Sequence, residues 1–301
     1  KLAARGDAVF PQLKGLFDSA KNPYVQARPI WVMSQLGSKG QSYVRNLLNS
    51  ENPQHRLVAY RALRFAQPGE LIPMAEKMAG DKDPSIRREV ALSLRDVPYA
   101  KAKRALGQVI AGYDGKNRWY LEAIGYAAAG NEDRVYDELV RPNHARTPPG
   151  EWSAAAKNLA WRLRSPRAIE DLHAAIKAQK PSIETFRRLV MGYASYRNDE
   201  ERRMYKSLLE SLAKEPGFED EQYQVTIEEV AHKDLGNLQG EDLTASFIIP
   251  TRFGPDSVLS DVKTIAAMKG NVVNGKTAVA RCLICHKIGA AGVSFGPQLT
   301  N

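Results

Sequence analysis

Cysteine is scarce in this sequence, and long apolar runs are missing from it. Only two cysteines occur among 301 residues, too few for the dense disulfide framework of small secreted domains. No stretch reaches the roughly 18 apolar residues that a transmembrane helix needs, so the sequence predicts no such helix. The first residues, 1–7, also lack the apolar segment of a signal peptide.

The hydrophobic content is ordinary, but the chain has an excess of positive charge. A hydrophobic fraction of 43% is typical of a folded globular protein and argues against general disorder. The formal net charge of +9 is compatible with nucleic acid, anionic lipid or an acidic protein as partner. Charges of both signs alternate along helical stretches such as 199–203, which favours solvated helix faces. We therefore expect no nucleic-acid partner.

Both cysteines and one of the five histidines stand together in the stretch 281–286, Arg-Cys-Leu-Ile-Cys-His. The spacing C-x-x-C-H is typical of covalent c-type haem attachment. Two thiols, here Cys282 and Cys285, add to the two vinyl groups of the porphyrin, and two intervening residues let both sulfurs reach one ring edge. The adjacent His286 is then placed beneath the iron as an axial ligand. The sequence thus predicts one covalent haem c.

Two other interpretations of Cys282 and Cys285 remain open. A redox dithiol of the thioredoxin type would lie in a strand–helix–strand setting, and no such alternation is visible around residues 260–301. A zinc site would need further closely spaced Cys or His ligands. No other cysteine exists, and the remaining histidines are scattered singly. Haem is the interpretation that the spacing favours.

Residues 22–214 contain an internal repeat. Similar segments begin at Asn22, Asn52, Asp83, Asp114, Pro149 and Lys180, each opening with a turn or helix N-cap and continuing as about four helical turns. A second helix follows each segment, with starts near Gln41, Pro68, Tyr99, Asn131, Pro166 and Asn198. One helix pair cannot bury its own apolar face, so stacked neighbours must supply the core. The repeat therefore predicts an all-α superhelix, or solenoid.

The apolar positions of the repeat predict which side chains lie inside. We expect all four tryptophans in this core rather than at a ligand-stacking surface. The predicted core comprises Val25, Trp31, Met33, Leu63, Ile86, Val90, Leu94, Trp119, Leu121, Trp152, Leu159, Trp161, Phe186 and Met191.

One segment of the repeat carries a family resemblance. The residues 83–94, Asp-Pro-Ser-Ile-Arg-Arg-Glu-Val-Ala-Leu-Ser-Leu, resemble the first helix of a HEAT repeat, with its Asp-Pro turn and aliphatic-Arg step. The units at Asn22 and Asn52 match more loosely, and the later units rest on spacing. We assign residues 1–234 to a HEAT-like helical repeat domain and the Gly- and Pro-interrupted residues 235–262 to a linker. Because residues 7–19 predict a second helix without its first, we expect the array to begin before Lys1.

The C-terminal residues carry a second resemblance. The pattern N-G-K, then C-x-x-C-H, then G-P-x-L-T is similar to small class I cytochrome c domains, and residues 263–301 would be the N-terminal part of one. The resemblance implies that the Pro297 carbonyl accepts a hydrogen bond from the axial histidine ring, which fixes the ring. It also implies that Leu299 packs on the porphyrin. No methionine follows His286, so the sixth iron ligand stays unidentified.

The two resemblances occur together in membrane-bound dehydrogenases of the Planctomycetes and Verrucomicrobia type. That architecture implies electron transfer through the haem, with a redox partner or a dehydrogenase domain outside this chain as electron donor. It also implies a periplasmic or otherwise extracytoplasmic location, and membrane association only through parts outside this chain. No substrate-binding or catalytic site is predicted here. The alternative is a protein-binding HEAT scaffold in which haem is a minor or regulatory addition.

Overall fold

The computed structural model describes residues 3–232 and two short stretches, 287–288 and 291–292. The chain divides into two compact units, Lys1–Asp242 and Leu243–Asn301. The predicted linker at 235–262 lies outside the described residues, as does most of the predicted cytochrome segment. The proposed domain boundaries therefore stay predictions.

Every regular element between residues 3 and 232 is helical. The α-helices are α1 Phe10–Ser19, α2 Pro23–Met33, α3 Ser38–Leu47, α4 Pro53–Ala66, α5 Leu71–Met78, α6 Pro84–Ser93, α7 Tyr99–Ala111, α8 Arg118–Ala128, α9 Glu132–Val135, α10 Ala154–Leu163, α11 Pro166–Gln179, α12 Ile183–Val190, α13 Asp199–Ala213 and α14 Glu221–His232. A π-helical turn, Tyr136–Val140, continues α9. Short 3₁₀ turns are Ala3–Val9, Pro68–Glu70, Arg141–Asn143, Pro149–Glu151 and Met191–Ala194.

The helices form stacked pairs in two layers. The first helices of the pairs (α2, α4, α6, α8, α10 and α12) each contact the next first helix along the chain. Among the second helices (α3, α5, α7, α9, α11 and α13), α5 packs on α7, and α11 packs on α9 and α13. We call these the first-helix layer and the second-helix layer. The predicted helical solenoid is confirmed for this part of the chain.

Asparagine, aspartate and serine side chains start the first helices. Asn22, Asn52 and Asp83 accept hydrogen bonds from backbone N–H groups of the first turn, and a proline follows each of them. The next two first helices begin later than the predicted starts at Asp114 and Pro149. Their caps are Asn117 and Ser153, because a turn through Gly115 (φ 83°) and the 3₁₀ turn at 149–151 come first.

The residue four positions after the cap joins successive units. Gln26, Arg56 and Arg87 occupy this position and donate to carbonyls of the chain that precedes their helix: Phe17, Ser50 and Asp81, respectively. The guanidinium of Arg56 also reaches forward to the carboxylate of Asp81 in the next unit, at 2.7 and 2.8 Å, with both side chains buried. These bonds satisfy carbonyls in the last turn of α1 and in the turns after α3 and α5, and they link neighbouring pairs.

Most of the predicted core is confirmed, but two tryptophans were placed wrongly. The buried predicted residues are Met33, Leu63, Ile86, Val90, Leu94, Leu121, Trp152, Leu159, Trp161 and Phe186. Val25 and Met191 are only partly buried. Trp31 and Trp119 are 36% and 57% exposed, because they lie on the outward side of α2 and α8. Residues three and seven positions after the cap, such as Ile86 and Val90, face the core instead.

Candidate functional site

The predicted haem-binding residues Cys282, Cys285, His286, Pro297 and Leu299 all lie outside the described residues, so their arrangement stays a prediction. Two short strands directly after His286 are described. Strand β1, Lys287–Ile288, pairs antiparallel with β2, Ala291–Gly292, and Lys287 lies opposite Gly292.

Within residues 3–232 the titratable side chains form no metal centre. No group of three or more His, Cys, Asp or Glu side chains that could hold a metal ion is found in the described part of the chain. No described helix is long and apolar enough to cross a membrane.

The buried histidines of this part of the chain act as hydrogen-bonding core residues. The ring of His173 on α11 contacts the hydroxyls of Tyr193 and Ser211, each at 3.2 Å. Burial lowers the pKa of His173 to about 4; the nearby charge of Lys177 adds to this lowering, and that of Glu215 opposes it. His173 is therefore neutral at neutral pH. Its two contacts join α11 to the 3₁₀ turn at 191–194 and to α13.

His144 is also buried, and it lies in the irregular segment that follows α9, residues 136–151. Its ring packs edge-on against Trp152, with ring centroids 4.1 Å apart, and lies 3.3 Å from the hydroxyl of Tyr136. That hydroxyl also contacts the carboxylate of Asp171 at 2.9 Å. Burial lowers the pKa of His144, although Asp171 opposes the change. The contacts hold the irregular segment against α11 and suggest no catalytic role.

The first-helix layer has an outward side with a repeating composition. The residue nine positions after each cap is large or charged in all five units with a side-chain cap: Trp31, Arg61, Leu92, Tyr126 and Arg162. Positions two and five after the cap lie on the same side of each helix, because a helix repeats every 3.6 residues. We call the side chains at positions two, five and nine after the cap the outward stripe, except position five of α10, where Asn158 is buried.

Exposed apolar side chains concentrate on this layer. Eight large hydrophobic residues are exposed in the described part of the chain, and six of them belong to α2, α4, α6 and α8. These six are Tyr24, Trp31, Phe65, Leu92, Trp119 and Tyr126. The rings of Trp31 and Phe65 pack edge-on across α2 and α4, with centroids 6.2 Å apart. A lone exposed apolar side chain is ordinary on a protein surface, but a clustered set marks a binding surface.

One such cluster lies in an open groove between α6, α8 and α10. The α6–α8 groove has a volume of about 580 Å³ and is lined by Arg88, Leu92, Trp119, Glu122, Ala123, Tyr126 and Arg162. Five of its side chains belong to positions two, five or nine of α6 and α8, and Arg162 supplies position nine of α10. The guanidinium of Arg95 lies 5.0 Å from the centre of the Tyr126 ring in a cation–π contact.

Glu122 organises the charges at the floor of the groove. It accepts hydrogen bonds from the Nε of Arg162, at 2.6 Å, and from the Nε of Arg118, at 3.1 Å. The pKa of Glu122 is lowered overall: burial raises it, but the two arginines outweigh that effect. A Cβ on Gly125 would lie 2.1 Å from the guanidinium carbon of Arg162, so glycine leaves the room that this arginine occupies.

Among the cationic side chains that line the groove, Arg88 has no carboxylate partner within residues 3–232. Its neighbour Glu89 instead pairs with two arginines of α4, Arg61 and Arg64. No ion pair or hydrogen bond of the Arg88 guanidinium occurs within residues 3–232. The outward stripe at the groove therefore combines apolar rings, a closed Arg–Glu network and one free guanidinium.

The two layers also differ in net charge. The six first helices carry eleven Lys and Arg residues against three carboxylates, a net charge of +8. The six second helices, with the π-helical turn after α9, carry twelve against eleven, a net charge of +1. The positive potential of this part of the chain is thus concentrated on the layer that carries the exposed aromatic rings.

Comparison with known families supports the repeat assignment. Residues 41–124, from α3 into α8, match the family model of HEAT repeats. The matched stretch includes the units at Asn52 and Asp83, with Arg56 and Arg87, and ends in α8, one of the helices that form the α6–α8 groove. No curated protein and no solved structure matches the chain. This match supports HEAT-like repeats in that stretch and is consistent with a helical scaffold.

Sequence reasoning missed the outward stripe. Its members Trp31 and Trp119 were assigned to the core, and Leu92, Tyr126 and Arg88 were not singled out. A signal for the stripe exists in the sequence, because side chains at a fixed distance from the cap share one side of each helix.

Proposed function

We propose that this protein transfers electrons through one haem c that is attached covalently at Cys282 and Cys285, with the HEAT repeats as its scaffold. The carrying observation is the C-x-x-C-H spacing in a chain with no other cysteine. Two thiols and one imidazole match the chemistry of c-type haem in number and order, and the downstream G-P-x-L-T pattern supports it. The redox chemistry would be that of the bound haem.

The roles proposed for the chain's own residues are structural. The two cysteine sulfurs would hold the porphyrin as thioethers, and His286 would supply the axial nitrogen. The carbonyl of Pro297 would accept a hydrogen bond from the ring of His286 and keep it oriented. Leu299 would cover the porphyrin and limit the access of water. Electrons would come from a dehydrogenase domain or redox partner outside this chain, in an extracytoplasmic compartment.

Covalent retention of haem tests this proposal. The full chain would be exported to the periplasm of a host that matures c-type cytochromes, purified, and extracted with acidified acetone. We expect a pyridine haemochrome spectrum from the extracted protein, and none from the C282A/C285A variant. H286A should keep the covalent haem but lose the spectrum of a histidine-ligated iron, whereas H55A should behave like wild type. Extraction of all the colour from the wild-type protein would contradict the proposal.

The second candidate function is protein binding by the helical scaffold, with haem as an addition. The favouring observation is the set of six exposed apolar side chains on the first-helix layer. HEAT-like arrays present extended surfaces that suit protein partners. Partner binding that is unchanged in C282A/C285A would favour this candidate. Binding that requires the attached haem would favour the first.

A further inference from the structure

We propose that the α6–α8 groove binds an acidic, apolar peptide segment of a partner protein. A carboxylate of the segment would pair with Arg88, and an apolar side chain would lie against Leu92, Trp119 and Tyr126. The inference deepens the scaffold function and rests on it, but it does not depend on haem.

The apolar part of the groove supplies the first argument. Leu92, Trp119 and Tyr126 are 41%, 57% and 49% exposed, and they line one continuous groove. Covering them removes apolar surface from water at roughly 25 cal/mol for each Å² buried. Aromatic side chains in such positions frequently dominate binding energy at protein interfaces. The groove thus has the composition of an interface centre.

The charges select the kind of segment. Arg88 presents a planar guanidinium beside the apolar surface and has no anion among residues 3–232. The guanidinium fork matches the geometry of a carboxylate. The surrounding first-helix layer has a net charge of +8, so it attracts acidic segments and repels basic ones. An acidic residue next to a Phe, Leu or Trp satisfies both requirements.

The same charges favour a peptide over a nucleic acid. A nucleic-acid strand carries a phosphate at every nucleotide and is held by a track of free cations. In this layer Arg61 and Arg64 are already paired with Glu89, and Arg118 and Arg162 are already paired with Glu122. The groove therefore offers one free guanidinium rather than a track, which fits a single carboxylate.

The groove is also built before any ligand binds. Trp119 stands in the first turn of α8, two residues after the capping Asn117, and Arg162 is held in place by Glu122. Side chains on well-anchored helices lose little conformational freedom on binding. We therefore expect binding without a large rearrangement of the helices.

The experiment uses the full chain and three short fluorescein-labelled peptides, with fluorescence anisotropy as the measurement. The first peptide alternates Glu with Phe and Leu. The second replaces each Glu by Lys, and the third replaces each Phe and Leu by Ser. We expect the first to bind at least about tenfold more tightly than either other peptide, because both charge and apolar contact are required.

Variants locate the site. Trp119→Ala should weaken binding of the first peptide about tenfold, and Arg88→Gln should weaken it roughly three- to tenfold. Val225→Ala, an exposed apolar residue on α14, and Arg104→Gln, an exposed arginine on α7, are the matched controls and should leave affinity unchanged. Circular dichroism should give similar melting temperatures for all four variants, since each change is at the surface.

Three outcomes would overturn the inference. Equal affinity of the variants and wild type would show that the peptide binds elsewhere. Tighter binding of a labelled oligothymidylate than of the first peptide, lost in Trp119→Ala, would identify a nucleic-acid surface. A dimer in sedimentation that Trp119→Ala dissociates would show that a second copy occupies the groove. None of these outcomes affects haem retention, so the peptide-binding proposal and the haem proposal are tested independently.

Discussion

The two helix layers share one core but face their surroundings differently. Both layers bury tyrosines completely, such as Tyr60 and Tyr120 on first helices and Tyr205 on a second helix. Outside the core, the second-helix layer is nearly neutral, whereas the first-helix layer has a net charge of +8 and six exposed apolar side chains.

The difference shows which constraints the fold imposes and which it leaves free. Packing fixes the inward positions of every helix in the same way, because each pair needs its neighbours to bury its apolar face. Folding alone does not require aromatic rings on an outward side. The outward stripe is therefore the feature of this part of the chain that points to a partner.

The largest expected effect concerns an arginine on the inward side of the first-helix layer. Replacing Asp81 by Ala leaves the guanidinium of Arg56 buried without its anion, since the two side chains are only 6% and 8% exposed. We expect the free energy of unfolding to fall by about 3–5 kcal/mol, measured by urea denaturation. Arg88→Gln, on the outward side, should change it by less than about 0.5 kcal/mol. Similar losses of unfolding free energy in both variants would show that inward and outward arginines contribute equally to stability.

A pair of tryptophans tests the same distinction for apolar residues. Trp161 is buried on α10, with the guanidinium groups of Arg118, Arg164 and Arg188 within 6 Å of its ring. Trp161→Ala should lower the free energy of unfolding by about 3 kcal/mol, the lower end for Trp, because these flexible side chains partly fill the cavity. Trp119→Ala should stay within about 0.5 kcal/mol of wild type. Equal losses would mean that Trp119 is a core residue after all.

The second-helix layer should respond to pH through His173. Its pKa is lowered to about 4 in the folded protein, against an unfolded value near 6.5. The unfolded chain therefore binds more protons between these values, so stability is complete above pH 6.5 and falls as the pH decreases towards 4. We expect wild type to lose about 2–3 kcal/mol more than His173→Gln between pH 7 and pH 4 in urea titrations. Parallel pH profiles would show that His173 does not act this way.

The smallest expected effect lies in the α6–α8 groove. Gly125→Ala should change the free energy of unfolding by less than about 1 kcal/mol, since better helix propensity offsets the displacement of Arg162. Its test is a double-mutant cycle with Glu122→Gln. Glu122→Gln should destabilise the protein by about 1 kcal/mol when residue 125 is glycine, and by less when residue 125 is alanine. A coupling of zero would show that Gly125 does not make room for the Arg162–Glu122 pair.

Local patterns predicted the helices of this fold well. Second helices begin at the predicted Tyr99 and Pro166 and directly after the predicted Asn131 and Asn198, since turn and cap residues act within a few positions. Pro68 opens the 3₁₀ turn that precedes α5, and α3 begins at Ser38, three residues before the predicted Gln41. Burial was harder to predict for aromatic residues, because hydrophobic character does not say which side of a helix a residue occupies. Trp161 and Trp31 belong to the same residue type, yet one is in the core and the other is exposed.

Predicting the outward stripe requires the correct cap residue in each unit, because positions are counted from the cap. The predicted start was wrong in two of the five units that form the stripe. Counting from Asp114 instead of Asn117 shifts the unit by three residues, so Tyr126 no longer aligns with Leu92 and Trp31. Counting from Pro149 instead of Ser153 shifts the unit by four residues and moves Arg162 out of alignment as well. The haem prediction did not depend on the alignment of repeat units, because the motif of Cys282, Cys285 and His286 spans only five residues. Their arrangement in space remains a prediction.

The repeated position nine after the cap gives the first-helix layer a fixed spacing. Packed helices stand about 8–10 Å apart, and an extended chain advances about 3.3 Å per residue. A strand lying across α6 and α8 would therefore meet a new stripe residue at about every third position. The layer thus presents side chains at regular intervals along the direction of stacking, one from each first helix: Trp31, Arg61, Leu92, Tyr126 and Arg162.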